Sequence, residues 1–162
     1  MKAVLYLLLM AFVLSGCAAI QKTKKRGFTI EPIGRIRKTE ENTTIVIEEE
    51  YQPGLLGLEG FSHAYVLYWF DRNDKPSKRS VLQVHPRGNP QNPLTGVFAT
   101  RSPARPNLIA LSLCRIRSIT ENVIEIDTID ALPDSPVIDI KPYTTQPETK
   151  ETAFFPDWVG SE

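Results

Sequence analysis

An arginine and a carboxylate carry the chemistry that points to a functional site. Arg101 lies just after a predicted strand, where a guanidinium could bind a carboxylate ligand through two parallel hydrogen bonds. Asp130 ends residues 123–130, whose two-residue period places it on the same face as Ile124 and Ile126. A carboxylate on an inward face is costly unless it has a partner or a role. Asp130 is therefore either a candidate general base or a cap for the following turn.

The histidines and cysteines give no metal-binding pattern. His63 and His85 have no Cys or Glu at ligand spacing. His63 begins an apolar segment, where a lone histidine is more often structural than basic, and we keep it as a candidate substrate contact. Cys114 shares a predicted strand face with Ala110 and Ile116, which indicates a small buried side chain.

The charges are balanced overall but polarised along the chain. The 162 residues include 19 Lys and Arg and 19 Asp and Glu, which excludes a uniformly basic nucleic-acid-binding protein. Residues 72–117 hold nine Lys or Arg and one acid, whereas residues 118–162 hold two lysines and ten acids. Either the two stretches pair across the sheet, with Arg101 among the paired cations, or the basic stretch forms an anion site, for example for RNA phosphates.

Short strands must position these residues. Beyond the N-terminal region, no segment of about 12 residues has a clean helical period, and 13 prolines disfavour a helical bundle. The length fits one domain, so the predicted fold is mostly β, a single-domain sandwich or barrel. The apolar segment 63–70 predicts a central strand covered on both faces, and Ile45 and Ile47 are predicted to face inward. Strands are predicted at 28–36, 43–50, 63–70, 81–85, 96–100, 108–117, 123–129 and 137–140.

The N-terminal residues 1–17 are typical of a lipoprotein signal. The apolar run 3–14 has the length of a signal-peptide core and is too short for a stable membrane span. Leu14-Ser15-Gly16-Cys17 then resembles a bacterial lipobox, in which Cys17 would be lipidated and would anchor the chain to a membrane. A mis-assigned start codon or an accidentally apolar extension would also explain this pattern. Residues 18–27 are predicted to be a basic linker, 28–143 the folded domain and 144–162 a C-terminal tail.

Three segments carry a resemblance to a known family: residues 54–70 (GLLGLEGFSHAYVLYWF), 85–112 (HPRGNPQNPLTGVFATRSPARPNLIALS) and 128–143 (TIDALPDSPVIDIKPY). Together they resemble the TrmO-like family, described as S-adenosylmethionine-dependent tRNA methyltransferases with a β-barrel core. The resemblance implies a β-barrel, a homodimer, and methylation of the exocyclic amine of threonylcarbamoyladenosine at tRNA position 37. A Gly-x-Gly-x-x-Gly motif is absent from the sequence, which agrees with a barrel and disfavours a Rossmann methyltransferase.

The resemblance also implies a cofactor site. Arg101 corresponds to a residue that contacts the cofactor, and Leu111 to one that lines it through its backbone. The loop Pro133-Asp134-Ser135-Pro136 corresponds to a cofactor-binding loop that is usually Asp-Gly-Thr-Pro. The predicted cofactor contacts are Arg101, Leu111, Asp130, Asp134, Ser135, Asp71 and Arg72. Arg105 and Asn107, which the resemblance places at the rim of the same pocket, and His63 are the candidate substrate contacts, and the 72–117 segment would face the tRNA anticodon loop.

The sequence departs from the family pattern near this site. Family members usually carry a Pro-Arg-Gln-Pro-Gly segment after the first strand, whereas residues 36–40 run almost at once into the next strand. The usual Phe-His is Phe70-Asp71 here. A lipobox also conflicts with a cytoplasmic tRNA substrate. The alternative function is therefore a membrane-anchored lipoprotein that uses the barrel as a non-catalytic module for a small ligand.

In the DIKPY run, Asp139 and Lys141 are predicted to form an ion pair beside a packed Tyr143 ring.

Overall fold

The computed structural model describes residues 27–144 and Pro156. Within these residues there are eight strands: Gly34–Lys38 (β1), Thr43–Ile47 (β2), His63–Trp69 (β3), Gln83–Val84 (β4), Thr95–Gly96 (β5), Ile109–Thr120 (β6), Val123–Ile126 (β7) and Pro136–Pro142 (β8). A single helical turn, α1, spans Pro76–Arg79. Short 3-10 helices span Glu49–Leu55, Leu58–Gly60, Asp71–Asn73, Pro86–Gly88 and Val97–Ala99.

Six of the strands close into an antiparallel barrel in the order β1-β2-β7-β6-β3-β8, and β4 and β5 form a separate small ribbon. Closure pairs every strand of the barrel on both sides, so the barrel itself presents no open sheet edge. The long strand β6 pairs with β3 through its first half and with β7 through its second half. The prediction of a mostly β, barrel-like domain is confirmed.

Strict alternation of inward and outward side chains along the strands builds the core of the barrel. Ile45 lies opposite Ile36 on one side and Ile124 on the other, and all three are at most 1% exposed. Each such aliphatic side chain contributes about 1.5–3 kcal/mol when it is fully buried. Ile47 also faces inward, as predicted. Cys114 is buried as predicted, and burial, with a smaller effect of Asp127, raises the pKa of its thiol to about 11.

Several predicted strands are shorter than the sequence pattern indicated. β1 begins only at Gly34, because Pro32 lacks the N–H that a ladder requires. β2 ends at Ile47, where the chain turns into the 3-10 helix Glu49–Leu55. The strand predicted at 96–100 is wrong beyond Gly96, because Val97–Ala99 forms a 3-10 turn. The strand predicted at 81–85 is reduced to β4 because Pro86 begins another turn.

The central position of β3 is confirmed, since it pairs with β6 and β8. The prediction that both of its faces are covered is wrong. A closed barrel has one interior, so only Ala64, Val66 and Tyr68 are buried. The outward aromatic side chains have edge-on and stacked partners instead: the Tyr65 ring lies 5.7 Å from that of Tyr143, and the guanidinium of Arg79 lies 5.3 Å from the Trp69 ring.

The structure also confirms the structural role predicted for the DIKPY run. Lys141 Nζ lies 2.8 Å from Asp139 Oδ2, and this ion pair raises the pKa of Lys141. The Tyr143 ring packs edge-on against His63 and Tyr65.

The predicted signal segment with Cys17, the linker up to residue 26, and the tail from residue 145 except Pro156 lie outside the described residues. Across residues 27–144, no helix has the length and apolar character needed to cross a membrane.

Candidate functional site

Two adjoining recesses open at one end of the barrel. The smaller recess, of about 380 Å³, is lined by the end of β1, the end of β3 and the segment before β8. The larger recess, of about 860 Å³, is lined by residues 84–88 and 99–103. Arg101, Pro103 and Asp130 line both and form their shared wall. The two residues singled out first from the sequence therefore lie at the junction of the two recesses.

Tyr68 is a buried polar residue in the smaller recess. The inward alternation of β3 carries it to the barrel mouth, and it is 2% exposed. Its phenol donates a hydrogen bond to the backbone carbonyl of Asp130. Burial raises the pKa of Tyr68, with a smaller contribution from the charge of Asp130, so the phenol stays protonated as a donor at neutral pH. The bond ties the segment that carries Asp130 to the barrel.

The inward orientation predicted for Asp130 is wrong, although the residue does line the site. Strand β7 ends at Ile126, and the chain then turns at Asp127, whose carboxylate accepts hydrogen bonds from the N–H groups of Arg115 and Thr128, at 2.9 and 2.7 Å. The turn breaks the two-residue period. Ile129 therefore enters the core, 4% exposed, and Asp130 is exposed on the shared wall.

The loop Pro133–Pro136 borders the smaller recess and continues the pairing of β1. The N–H of Asp134 donates to the Ile36 carbonyl at 2.8 Å, and the Ile36 N–H donates to the Ser135 carbonyl at 3.1 Å. Asp134 has a φ of 66°, the left-handed conformation that glycine adopts most easily. This is the position at which the family pattern usually has glycine, so the departure preserves the backbone shape.

Four basic side chains converge on the segment 129–134. One forms an ion pair with the Asp134 carboxylate, and the other three donate to backbone carbonyls of residues 129–134. These are Arg37 to the Asp134 carboxylate, Arg35 to the Asp134 carbonyl at 3.3 Å, Lys38 to the Ile129 carbonyl at 2.7 Å and Arg72 to the Pro133 carbonyl at 3.1 Å. The positive charge around the smaller recess favours a ligand that carries a negative group.

Two cations of the basic stretch use local acidic partners. Arg72 pairs with Asp71, its chain neighbour. Arg79 pairs with Asp74 at 2.7 Å, and this hydrogen bond lowers the pKa of the Asp74 carboxyl. For these two arginines the proposed pairing with the acidic stretch across the sheet is not what the structure shows.

Five of the predicted cofactor contacts are brought together in the smaller recess, and Asp134 adjoins it. The five are Asp71, Arg72, Arg101, Asp130 and Ser135. Arg105 stabilises the loop that carries Arg101, because its guanidinium donates to the Thr100 carbonyl at 3.2 Å, one residue before Arg101. Asn107 is exposed at the end of the same loop.

Two predicted contacts lie elsewhere in the single chain. Leu111 is on the outer face of β6, opposite Leu67, and is 44% exposed. His63 begins β3, about 20 Å along the strand from Trp69 at 3.3 Å per residue, and its Nδ1 lies 2.9 Å from the Ser62 hydroxyl. The structure does not bring either of them into the recesses.

Sequence reasoning gave no site role to Lys38, Tyr68 or Asn73 in the smaller recess, or to His85 and Arg87 in the larger one. For Tyr68 the signal was available, because a tyrosine on the inward face at a strand end needs a polar partner. For the His85–Gly88 turn, the signal was a histidine and an arginine in a segment with Pro86 and Gly88, because these two residues indicate a surface turn whose side chains are exposed.

Comparisons with known proteins agree with this architecture. Residues 22–149 match the family model of the tRNA-methyltransferase O N-terminal domain. A probable S-adenosyl-L-methionine-binding protein of Methanocaldococcus jannaschii is 47% identical over 114 residues, which are 70% of this chain and 90% of that protein. A similarly named protein of Pyrococcus horikoshii is 48% identical over 118 residues, 73% of this chain and 84% of that protein. The human tRNA (adenine(37)-N6)-methyltransferase is 39% identical over 102 residues, 63% of this chain and 22% of the human protein.

Solved structures share the fold. A crystal structure of TrmO from Pseudomonas aeruginosa matches with a TM-score of 0.65 and 25% identity, over 85% of this chain and 64% of that chain. A second TrmO crystal structure matches with a TM-score of 0.64 and 28% identity, over 80% of this chain and 64% of that chain. The chain therefore spans just under two thirds of these solved chains.

Proposed function

We propose that this chain, which belongs to the tRNA-methyltransferase O N-terminal domain family, is an S-adenosylmethionine-dependent tRNA methyltransferase. The observation that carries the proposal is the convergence of five cofactor contacts, implied by family resemblance, on one recess. The finer proposal is that the acceptor is the exocyclic amine of threonylcarbamoyladenosine at tRNA position 37. The human relative's name, which specifies adenine 37 and N6, supports this assignment.

The residues of the smaller recess fit the cofactor's chemistry. Its volume of about 380 Å³ lies within the range of small-molecule sites, and Tyr68 and Phe70 give it aromatic walls. Arg101 would bind the methionine carboxylate through its planar fork, and Asp71 would accept hydrogen bonds from the amino group or the ribose hydroxyls. When bound, S-adenosylmethionine supplies a methyl group on an electrophilic sulfonium centre.

The chain's own residues then have two tasks. The first is to hold donor and acceptor in line, which converts an encounter between two molecules into a step within one complex. The second is to take a proton, because the acceptor nitrogen is a poor nucleophile whose lone pair is delocalised. We propose Asp130, which lines the shared wall, for that task, and its exposure would let it pass the proton to water. Tyr68 holds the Asp130 backbone in place.

Titration of S-adenosylmethionine into the full-length chain tests the proposal. We expect micromolar binding, on the order of −8 kcal/mol, for the native sequence. Arg101→Ala should abolish it, whereas Arg117→Ala, an exposed arginine on β6, should not. Methyl transfer to tRNA from a labelled cofactor is the second measurement. A folded native chain that binds no cofactor would overturn the proposed function, and unchanged binding by Arg101→Ala would overturn the placement of the site.

We also propose that two copies of the chain associate through the outer face of β3 and β6. Leu111 and Leu113 are 44% and 46% exposed there, side by side with Leu67 and Tyr65 of the neighbouring strand. Association at this face would bury apolar area that the single chain leaves in water. It would also give Leu111 a buried environment, as expected for a residue implied to line a binding site.

The second candidate function is a membrane-anchored lipoprotein in which the barrel binds a small ligand without methylating it. The observation that favours it is the lipobox sequence ending at Cys17. Metabolic labelling with palmitate separates the candidates, with Cys17→Ser as the variant and Cys114→Ser as its matched control. Labelling that is lost only in Cys17→Ser would support the anchored form. Unlabelled native chain, with methylated tRNA in the same cells, would exclude it.

A further inference from the structure

The proposed cofactor contacts do not account for the larger recess. It holds about 860 Å³ and adjoins the smaller recess through Arg101, Pro103 and Asp130. Group transfer needs two ligands whose reacting atoms approach to about 3–3.5 Å. Two adjoining recesses that share a wall with one carboxylate can hold two ligands side by side, which makes the larger recess the candidate site for the acceptor.

The lining of the larger recess favours a negatively charged ligand. Arg87 and Arg101 supply two guanidinium groups, and His85 supplies an imidazole. Of its described lining residues, Asp130 is the single acid. Arginine suits a carboxylate or a phosphate because its planar fork can donate two parallel hydrogen bonds.

The turn that carries His85 and Arg87 is fixed before any ligand binds. The Nδ1 of His85 lies 2.7 Å from the Asn92 carbonyl, and the Asn92 amide donates to the Pro86 carbonyl at 3.0 Å. With its hydrogen on Nδ1, the neutral His85 ring has Nε2 left as an acceptor. Arg87 is held at a φ of 59°, a strained conformation for a residue with a side chain, and such strain tends to occur at functional sites.

We propose that the larger recess is the acceptor subsite and that Arg87 binds a carboxylate on the acceptor's modified base. This inference rests on the proposed function, which gives the acceptor a threonylcarbamoyl group, and that group ends in a carboxylate and carries a hydroxyl. Arg87 would donate to the carboxylate, and the neutral His85 ring would accept from the hydroxyl. The phosphate of a neighbouring nucleotide is the other anion that a guanidinium could bind.

Binding of free nucleosides to the full-length chain tests the carboxylate assignment without methyl transfer. The probes are threonylcarbamoyladenosine, its neutral carboxamide and adenosine 5′-monophosphate. We expect the acid to bind about tenfold or more tightly than the carboxamide, because a charged hydrogen bond is lost in the amide. Arg87→Asn should remove this preference, since asparagine tolerates the left-handed backbone, and Arg117→Asn should keep it. Equal affinities for acid and carboxamide, or tighter binding of the monophosphate, would overturn the carboxylate assignment.

Kinetics of the same variants separate failure of the subsite from failure of the proposed function. Arg87→Asn should raise the KM for tRNA about tenfold and leave the affinity for S-adenosylmethionine within about twofold. An unchanged KM, or a lost affinity for the cofactor, would overturn the acceptor subsite. If the native chain prefers the acid nucleoside but transfers no methyl group, the subsite stands and the methyltransferase proposal fails.

Discussion

Asp134 shows how a departure from a family pattern can keep the structure that the pattern encodes. Its φ of 66° is the conformation for which glycine is the usual residue, and its carboxylate pairs with Arg37 on the surface. A left-handed residue with a Cβ costs about 1–2 kcal/mol compared with glycine. Against this, glycine loses about 0.5–1 kcal/mol more in conformational entropy on folding, and the exposed ion pair returns less than about 1 kcal/mol. The side chain at this position is therefore close to neutral for stability, whereas the backbone conformation is required.

Replacement of Asp134 by glycine or alanine tests this balance. We expect the free energy of unfolding of Asp134→Gly in urea to lie within about 0.5 kcal/mol of the native value, because the relief of strain offsets the lost ion pair together with the greater entropy cost of ordering glycine. Asp134→Ala should be about 1 kcal/mol less stable than the glycine variant, because it keeps the strain and loses the pair. Equal stability of the two variants would mean that the loop does not hold this conformation in solution.

Asp130 marks the limit of what the sequence could predict at the site. Its candidate role was inferred from an inward orientation, which the two-residue period predicted and which is wrong, although Asp130 does line both recesses. The period stops at Asp127, because the carboxylate of that residue binds two backbone N–H groups and turns the chain. A side chain that captures backbone donors leaves no trace in an apolar pattern, so only the structure could show that Ile129 takes the inward position.

At the scale of elements, local alternation predicted the barrel strands well. β2, β3 and β7 lie within their predicted segments, because each keeps its period over four or more residues. The separate ribbon β4–β5 and the turns around it were overpredicted as strands. Their two-residue strands are held by pairing with each other and not by an apolar face, so their sequence carries little signal.

Gly34 sets how closely β1 approaches β2. A Cβ at this position would lie 2.4 Å from the Val46 carbonyl oxygen and 2.9 Å from the Ile47 Cα, both backbone atoms. We expect Gly34→Ala to lower the free energy of unfolding by about 3 kcal/mol, because the strands must separate to fit the methyl group. Gly60→Ala is the control: no atom lies within 4 Å of its Cβ position, and a change within about 0.5 kcal/mol is expected. Comparable losses in both variants would remove the steric explanation.

Asp127 makes the hydrogen bonds between the end of β7 and strand β6 sensitive to pH. Partial burial acts to raise the pKa of its carboxyl, but hydrogen bonds from the N–H groups of Thr128 and Arg115 outweigh it and lower the pKa below the ordinary value. A lowered pKa in the folded state means that the stabilisation is present above the ordinary value and is lost as the pH falls through the lowered one.

We therefore expect Asp127→Asn to be about 1 kcal/mol less stable than the native chain at pH 7, since a neutral amide is the weaker acceptor. The difference should shrink progressively as the pH falls below about 4, the ordinary value of an aspartate, because the native carboxyl then becomes protonated too. Urea unfolding at pH 7 and at a series of pH values below about 4 measures it. Glu41→Gln, in the exposed β1–β2 turn, is the control and should show no such pH-dependent difference. A difference that stays constant with pH would rule out the charge of Asp127 as its origin.

At the scale of the whole molecule, the fold collects the polarised charge at one end. β1, β3 and the segment before β8 meet at the same barrel mouth. The basic side chains of β1, with Arg72 just after β3, surround the smaller recess, and Arg87 and Arg101 extend the positive surface over the larger one. Such a surface favours a polyanion over the length of both recesses. The positive surface around the two recesses agrees with the tRNA partner proposed above, although the net charge of the chain is zero.

The outer face of β6 gives the last prediction, which concerns assembly. Leu111 and Leu113 remain 44% and 46% exposed on one sheet face, and a leucine contributes about 1.5–3 kcal/mol when fully buried. If two copies pack on this face, the native chain should have the mass of a dimer by light scattering, and Leu111→Lys should have that of a monomer, because an ammonium group would be buried without a partner. Leu56→Lys is the matched control, since Leu56 is 91% exposed on a different surface and its replacement should leave the dimer intact. A monomeric native chain would refute association altogether, and a dimer that survives Leu111→Lys but not Leu56→Lys would move the interface to the surface around Leu56.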